Sequence, residues 1–334
     1  MSKKINKNML RERALKLPKV DDSMWLQIDN KNRELADEFL EMNSSLSSKT
    51  LKQYKSNLRQ FFWWVHIALN GKKLHSITKR DALRYINYLQ ARGMSSSAVG
   101  LKKSVVSSFN NYIENIVADD DPDFKMFKNF TRGLPAIPKN QTYEKVKITK
   151  DEYDLLISTL LDDENYLGAA WTATAFNVGA RRAEIPQFKT ELLDYPIPDG
   201  QNYILSHNVR LKGRGEDGKI EPYMINLEAL KHMKLWVDKR GYESEYIFTT
   251  KYGGIVKSMS ETWADEFCTN VLSDILGRRI NPHLFKASCV TYLLEQGIDL
   301  ALVSKHVAHH NDVSTTIKHY DLRDFAEEKN KIFG

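Results

Sequence analysis

The sequence predicts a mainly α-helical protein with a small antiparallel β-sheet. Three observations carry this prediction. Apolar residues recur at helical spacing along most of the 334 residues, two helical segments begin with a capping box, and one segment alternates around a glycine-rich turn. The hydrophobic fraction of 42% is sufficient for two domains with cores of their own, and no stretch reaches the length of a membrane span. We therefore expect no membrane partner.

Residues 1–29 are expected to form a basic N-terminal arm. Seven Lys or Arg residues lie between positions 3 and 19, without the apolar block or small-residue cleavage site of a secretory signal. The net charge of +6 and the pI near 9.0 suit a polyanionic partner, although such a surplus is also common in proteins that bind none. The two cysteines, Cys268 and Cys289, lie inside helical patterns, which favours a reducing cytoplasm over a disulfide framework.

Residues 30–133 are predicted to form an all-helical domain. Its helical segments read "NRELADEFLEM", "SSKTLKQYKSNLRQFFWWVHIAL", "TKRDALRYINYLQARG" and "SSSAVGLKKSVVSSFNNYIENIV". The third begins with a capping box, Thr78 with Asp81. The polar faces of these helices are either solvated or lie along DNA phosphates. The basic residues on them are Lys49, Lys52, Lys55, Arg59, Lys102 and Lys103.

A polar linker with two prolines is predicted at residues 134–147, directly after Gly133, followed by a second domain at residues 148–334. This domain begins with a capping box formed by Thr149 and Glu152. The segment "QNYILSHNVRLKGRGEDGKIEPYMI" alternates as two or three antiparallel strands would. Helical patterns then return in "LEALKHMKLWVDKRG", "SETWADEFCTNVLSDIL", "KASCVTYLLEQG" and "LALVSKHVA".

Arg181 lies in "FNVGARRAEIPQF", a segment that is otherwise patterned for burial. A buried arginine requires an anion, and Glu184 alone could supply it. Further along the chain are His283, Lys286 and the cluster "KHVAHHNDVSTTIKHY", which ends at Tyr320.

Together these motifs resemble the tyrosine recombinases, the phage integrase family, over about residues 30–330. "GARRAEI" is similar to the motif of the first arginine, and "HLFK" stands where the family has a histidine and its second arginine. "AHHNDVSTTIKHY" resembles the histidine box, with His310 as the histidine and Tyr320 as the nucleophile. "KTLKQYKSNLRQFF" resembles the SAM-like core-binding domain. The resemblance implies the recombinase fold, with a mixed α+β domain of the catalytic type.

The resemblance also implies phosphoryl transfer without a metal or other cofactor. In the family the tyrosine attacks a DNA phosphodiester and forms a 3′-phosphotyrosine link, while cationic residues stabilise the developing charge and a hairpin lysine protonates the leaving oxygen. His306 and His310, one helical turn apart, could instead suit a metal, but the family motif already accounts for His310. The catalytic set carried over to this chain is Arg181, Arg214, His283, Lys286, His310 and Tyr320.

Two members of this set depart from the family pattern. Arg214 aligns with the hairpin lysine, and a guanidinium with a pKa above about 12 cannot act as a general acid near neutrality. Lys286 replaces the second arginine and offers a point charge where a planar fork grips two oxygens. In addition, His309 stands where the histidine box usually has glycine, which puts the local turn in question.

The sequence supports two functions. The first is a sequence-specific duplex-DNA-binding regulator, a phage or prophage repressor with weakened or lost strand exchange. The alternative is an active recombinase that recruits Lys212 as its acid. In both cases we expect DNA contacts from Lys212, Arg214 and Lys219, a cytoplasmic, nucleoid-associated location, and a homo-oligomer formed through the C-terminal tail.

Overall fold

The structure is a computed structural model, and it describes residues 17–138, 146–213 and 218–323. These residues divide into two compact units, one of residues 17–138 and the other of residues 146–213 and 218–323. Within the described ranges, no helix is both long and apolar enough to cross a membrane.

The smaller unit is helical. Its helices are α1 (Asp22–Trp25), α2 (Asn30–Met42), α3 (Ser48–Ala68), α4 (Lys79–Ala91) and α5 (Ser96–Asn115). The predicted capping box at the start of α4 is confirmed, because the Thr78 hydroxyl accepts from the Asp81 main-chain N–H and the Asp81 carboxylate accepts from the Thr78 N–H. Aromatic rings of α3 and α5 meet edge to face in the core, as Phe62 and Phe109 do with ring centroids 5.7 Å apart.

The predicted arm is partly folded. Val20, Trp25 and Ile28 are buried in the core of the helical unit. The Arg59 guanidinium lies over the Trp25 ring at 5.3 Å and pairs with Asp22 at 2.7 Å. These contacts join residues that are distant in the sequence, so the basic composition of the arm gave no sign of them. Residues 1–16 of the predicted arm lie outside the described residues.

The larger unit combines helices with three small antiparallel strand pairs. Its helices are α6 (Lys150–Asp162), α7 (Tyr166–Asn177), α8 (Leu227–Lys239), α9 (Glu261–Glu266), α10 (Ser273–Leu276), α11 (Pro282–Glu295), α12 (Leu300–Leu302) and α13 (Val313–His319). Two π-helical turns, Phe267–Leu272 and Val303–Val307, continue α9 and α12. The capping box predicted at Thr149 is confirmed at the start of α6.

The alternating segment, for which two or three strands were predicted, forms four: β1 (Tyr203–Leu205), β2 (Val209–Leu211), β3 (Lys219–Glu221) and β4 (Met224–Asn226). β1 pairs with β4 and β2 pairs with β3, both antiparallel, with Leu211 opposite Lys219. A further hairpin, β5 (Thr249–Tyr252) with β6 (Ile255–Ser258), was not predicted. The sequence does carry a signal for it, the Gly253–Gly254 pair. Both glycines have positive φ, as a two-residue hairpin turn requires.

Helix α11 lies in the interior of the larger unit, and 10 of its 14 residues are buried. Asn281 caps the helix and Pro282 occupies its first turn, so the helix begins immediately before His283. The side chain of His283 is exposed in the first turn, whereas Lys286 lies one turn further into the core. The helix therefore presents its two basic residues to different environments.

Candidate functional site

Arg181 is held in place by the buried carboxylate of Glu184. The Arg181 Nη1 donates to Glu184 Oε1 at 2.8 Å, and the Arg181 main-chain N–H donates to Glu184 Oε2 at 2.7 Å. The Tyr223 hydroxyl also donates to Glu184. Burial alone would raise the pKa of Glu184, but the charges of Lys286 and Arg181 and the Tyr223 hydrogen bond hold it below its usual value. The predicted partner of Arg181 is thus present and ionised.

The second edge of the Arg181 guanidinium faces His310. Its Nη2 lies 3.5 Å from His310 Nε2, and the Nδ1 of the same imidazole lies 2.8 Å from the Thr316 hydroxyl. The Thr316 hydroxyl donates onward to Ser304, so we assign the imidazole proton to Nδ1 and an acceptor role to Nε2. Burial and the charges of Lys286 and Arg181 lower the pKa of His310 to about 4, which keeps the ring neutral near pH 7.

Tyr320 completes this group. Its ring centroid lies 4.7 Å from that of His310, and its ring packs on the small cluster that contains Val290 and Val303. The Thr291 hydroxyl donates to the Tyr320 carbonyl at 2.9 Å, which fixes the main chain after α13. Among the described residues, the Tyr320 hydroxyl has no hydrogen-bond partner. Arg181, His310 and Tyr320 therefore lie close together, as the resemblance to the tyrosine recombinases implies.

Lys286 was predicted to lie opposite a phosphate, but the structure places its side chain inside the protein. Its side chain is only 1% exposed, and its Nζ donates to the Gly179 carbonyl at 2.8 Å and approaches the Val307 carbonyl at 3.5 Å. Burial, together with the charge of Arg181, lowers the pKa of Lys286 to about 7. The ammonium is thus bound by main-chain carbonyls inside the protein, and it joins the segment before Arg181 to the turn before His310.

Gly179 is required at this junction. It has a φ of +67°, and a Cβ there would lie 3.2 Å from Cys289 Sγ and 3.3 Å from Val307 Cγ1. A larger residue would combine backbone strain with tight contacts that Cys289 and Val307 would have to relieve by small shifts. The carbonyl that receives Lys286 is therefore held by both backbone conformation and close packing.

His283 lies at the exposed start of α11. Although the imidazole reaches solvent, the surrounding protein atoms keep water from part of it, and this desolvation together with the charges of Arg182, Arg181 and Lys212 lowers its pKa. Sequence reasoning missed Arg182, which pairs with Glu261 at 3.1 Å and with Asp265. The double arginine of "GARRAEI" was its only sequence signal.

The β2–β3 hairpin brings two predicted lysines to this side of the unit. Lys212 is exposed, and the Lys219 ammonium lies 2.7 Å from Glu221 Oε1 and 3.2 Å from Asn311 Oδ1, one residue after His310. The neck of the hairpin requires glycine at position 213, since a Cβ there would lie 2.5 Å from the Lys219 main-chain nitrogen. Arg214 lies outside the described residues.

His309 keeps the turn for which the family pattern uses glycine. Its φ is +55°, in the left-handed region. A residue with a Cβ therefore adopts a left-handed conformation at this place, at the cost of backbone strain.

The basic residues predicted to contact DNA in the helical unit differ in exposure. Lys49, Lys52 and Lys55 are exposed on α3, Lys103 is half-buried on α5, and Arg59 is paired with Asp22. The prediction for Lys102 is wrong in this structure, because the side chain is 7% exposed and its ammonium donates to the side-chain oxygens of Asn57 and Gln60. Burial lowers the pKa of Lys102 to about 8.

The chain is similar to known proteins over most of its length. Residues 147–327 match the family model described as the phage integrase family, and residues 37–115 match the phage integrase N-terminal SAM-like domain. The chain is 66% identical to the SPbeta prophage-derived recombinase-like protein YomM of Bacillus subtilis (strain 168), over the full length of both. It is 22% identical to the tyrosine recombinase XerC of Staphylococcus saprophyticus, across 88% of this chain and 93% of that relative.

Solved structures show the same fold. The Tn1549 transposon integrase in complex with circular intermediate DNA matches with a TM-score of 0.67 and 14% identity, over 90% of this chain and 98% of that chain. A λ integrase dimer bound to a COC′ core site matches with a TM-score of 0.63 and 15% identity, over 87% of this chain and 77% of that chain.

Proposed function

Because the chain belongs to the phage integrase family of tyrosine recombinases, we propose that it is a sequence-specific duplex-DNA-binding regulator with weakened or lost strand cleavage. One observation carries the proposal. Lys286, at the place of the family's second arginine, is buried and bound by the carbonyls of Gly179 and Val307. Its ammonium therefore donates to the protein's own main chain and does not face a phosphate.

Cleavage requires a fixed cation on the scissile phosphate throughout the reaction. An arginine at this place would supply a permanent charge and two parallel donors. Lys286 supplies neither, since its pKa is lowered to about 7 and its Nζ faces main-chain oxygens. Loss of one preorganised donor typically costs on the order of 10²- to 10³-fold in rate. This cost supports a protein that binds DNA without efficient cleavage.

Binding depends on groups that the structure leaves at the surface. Lys212 on the hairpin and Lys49, Lys52 and Lys55 on α3 are exposed and suit phosphates. The Tn1549 and λ integrase structures were determined with DNA, which supports duplex DNA as the partner here. A repressor acting on a prophage in the cytoplasm, at the nucleoid, fits a chain whose relative is described as prophage-derived.

A homo-oligomer that exchanges C-terminal tails is part of the same proposal. The tail beyond residue 323 lies outside the described residues. Its removal, followed by light scattering of free and DNA-bound protein, tests this part separately from cleavage.

A second candidate is an active recombinase. It is favoured by the grouping of Arg181, His310 and Tyr320, which keeps a nucleophile beside an arginine and a neutral imidazole. In this case Lys212 or Lys219 would protonate the leaving oxygen, since both are lysines of the hairpin.

Covalent trapping separates the two candidates. A binding site is selected from a random duplex library, rebuilt as a nicked suicide substrate, and incubated with the protein and with Tyr320→Phe. We expect specific binding by both proteins and an adduct rate on the order of 10²- to 10³-fold below that of a working recombinase. A rapid denaturant-resistant adduct that disappears in Tyr320→Phe would establish the second candidate instead.

A further inference from the structure

His309 has an unfavourable backbone conformation. With a φ of +55°, it is one of three non-glycine residues with positive φ in the described part of the chain. A left-handed conformation costs a residue with a Cβ roughly 1–2 kcal/mol, a cost that glycine does not have. A strained residue that glycine could replace points to a role for its side chain.

We propose that His309 is a positioning residue that fastens the β2–β3 hairpin to the turn carrying His310, and thereby places Lys219 beside the site. The inference rests on the proposed DNA-binding function only for its effect on DNA. The fastening itself is a property of the unbound protein and is testable without DNA.

The contacts form a closed ring between hairpin and turn. His309 Nδ1 lies 2.8 Å from Glu221 Oε2, and Lys219 Nζ lies 2.7 Å from Glu221 Oε1. The same Nζ donates to Asn311 Oδ1 at 3.2 Å, two residues after His309. Two side chains of β3 are thus bound to two residues of one turn, on either side of His310. This arrangement restrains both the position and the orientation of the hairpin.

The His309 imidazole also packs against Tyr223, which holds the Glu184 carboxylate that binds Arg181. The His309 side chain is buried, and its ring meets Tyr223 edge to face with centroids 4.4 Å apart. The Tyr223 hydroxyl binds Glu184, which in turn holds Arg181. Glycine at position 309 would fit the turn but would remove the contacts with Glu221 and Tyr223. The side chain therefore links the hairpin, the histidine turn and the arginine.

The protonation state of His309 suits a permanent hydrogen-bond donor to Glu221. The Glu221 carboxylate can only accept, so Nδ1 of His309 carries the proton. Burial lowers the pKa of His309, with the charge of Lys286 acting in the same direction and Glu221 opposing it. His309 Nε2 is buried without a partner in the described residues, as a neutral ring with its proton on Nδ1 permits.

The test uses three variants. His309→Gly removes both the imidazole and the strain, His309→Ala removes the imidazole but keeps the strain, and Glu221→Gln removes the charged acceptor. Hydrogen exchange of the amides of β2 and β3 measures the fastening in the absence of DNA. Dissociation from the selected duplex measures its effect on binding. The matched control is Glu245→Gln, which breaks a surface ion pair with Lys189 in the same unit.

We expect His309→Gly and Glu221→Gln each to accelerate β2–β3 exchange and duplex dissociation by about tenfold, the equivalent of one charge-assisted hydrogen bond. The double variant should lose little more than Glu221→Gln alone, because that substitution already removes the contact with His309 together with the charged partner of Lys219. His309→Gly should unfold at a higher denaturant concentration than His309→Ala, whereas the control should leave exchange unchanged.

Unchanged hairpin exchange in both single variants, or fully additive effects in the double variant, would overturn the positioning role. If the parent protein binds no duplex at all, the proposed function fails while the exchange measurement still decides the role of His309. Glu221→Gln keeps the test decisive if a substitution at position 309 prevents folding.

Discussion

Two buried lysines, one in each unit, show how differently the same residue type can be accommodated. Lys286 in the larger unit donates to the main-chain carbonyl of Gly179 and approaches that of Val307. Lys102 in the helical unit donates to the side-chain oxygens of Asn57 and Gln60. Sequence reasoning placed both lysines at DNA phosphates, yet the protein itself supplies their hydrogen-bond acceptors.

The difference lies in how firmly the acceptors are held. The Gly179 carbonyl belongs to a left-handed turn packed against Cys289 and Val307, and this packing keeps the oxygen directed at Lys286. The amides of Asn57 and Gln60 are at the ends of side chains that can rotate once Lys102 is gone. Lys286 is accordingly part of the frame of the site, whereas Lys102 is a local contact between α3 and α5. Four predictions sharpen or break this comparison.

The largest effect is expected for Lys286→Met. Removing the ammonium leaves buried carbonyls without a donor and takes a counter-charge away from Glu184, which should lower the free energy of unfolding by about 3–5 kcal/mol. Lys102→Met should cost less, about 1–2 kcal/mol, because the half-buried Gln60 amide can turn to water and only the Asn57 oxygen is left buried without a donor. Urea denaturation of both variants measures the difference, and equal losses would contradict the distinction.

Lys286→Arg should destabilise the protein by about 1–3 kcal/mol, since a larger planar group must enter a site that is 1% exposed. We also expect no gain of covalent adduct on the suicide duplex. The control is Lys103→Arg, at a half-buried position, which should change stability by less than about 0.5 kcal/mol. Full stability together with new cleavage would mean that the side chain at position 286 turns outward easily.

Stability should rise with pH above neutrality. Burial lowers the pKa of Lys286 from 10.5 to about 7, so the folded state binds fewer protons than the unfolded state between those values. The resulting stabilisation grows as pH rises through this window and is absent below it. Because burial lowers the pKa of Lys102 only to about 8, the rise in stability due to this lysine begins at about pH 8. Denaturation at a series of pH values should therefore give a flatter curve from about pH 7 for Lys286→Met, and from about pH 8 for Lys102→Met. Parallel curves for all three proteins would be inconsistent with these shifts.

The smallest effect concerns salt. Lys52→Ala and Lys55→Ala should each reduce the slope of log affinity against log salt by about 0.9, if each side chain neutralises one phosphate. Lys102→Met should leave the slope unchanged, because its ammonium is bound inside the helical unit. Fluorescence anisotropy at several salt concentrations provides the measurement. A reduced slope in Lys102→Met alone would reverse the assignment.

Local signals predicted much of the fold. The capping boxes at Thr78 and Thr149 fix helix starts through residues three apart, and the alternation of residues 201–225 predicted antiparallel strands, although it gave two or three where four form. The packing of Trp25 could not be predicted, since it depends on Arg59, 34 positions away. Long-range contacts of this kind leave no periodic trace in the sequence.

The site was predicted to a similar degree. The family resemblance implied that Arg181, His310 and Tyr320 share one site, and His310 contacts both of the other residues. The inward position of Lys286 was not foreseeable, because its two acceptors come from segments 107 and 21 residues away. A motif identifies which residue occupies a place but does not indicate which acceptors its side chain finds.

The most direct test of the inward position of Lys286 is carbon NMR of protein labelled at lysine Cε, with the Lys286 resonance assigned by its absence in Lys286→Met. The resonance should titrate with a midpoint of about 7 and keep its shift when the selected duplex is added. A midpoint near the ordinary lysine value of about 10.4, or a clear change on DNA binding, would show that the ammonium reaches solvent or phosphate.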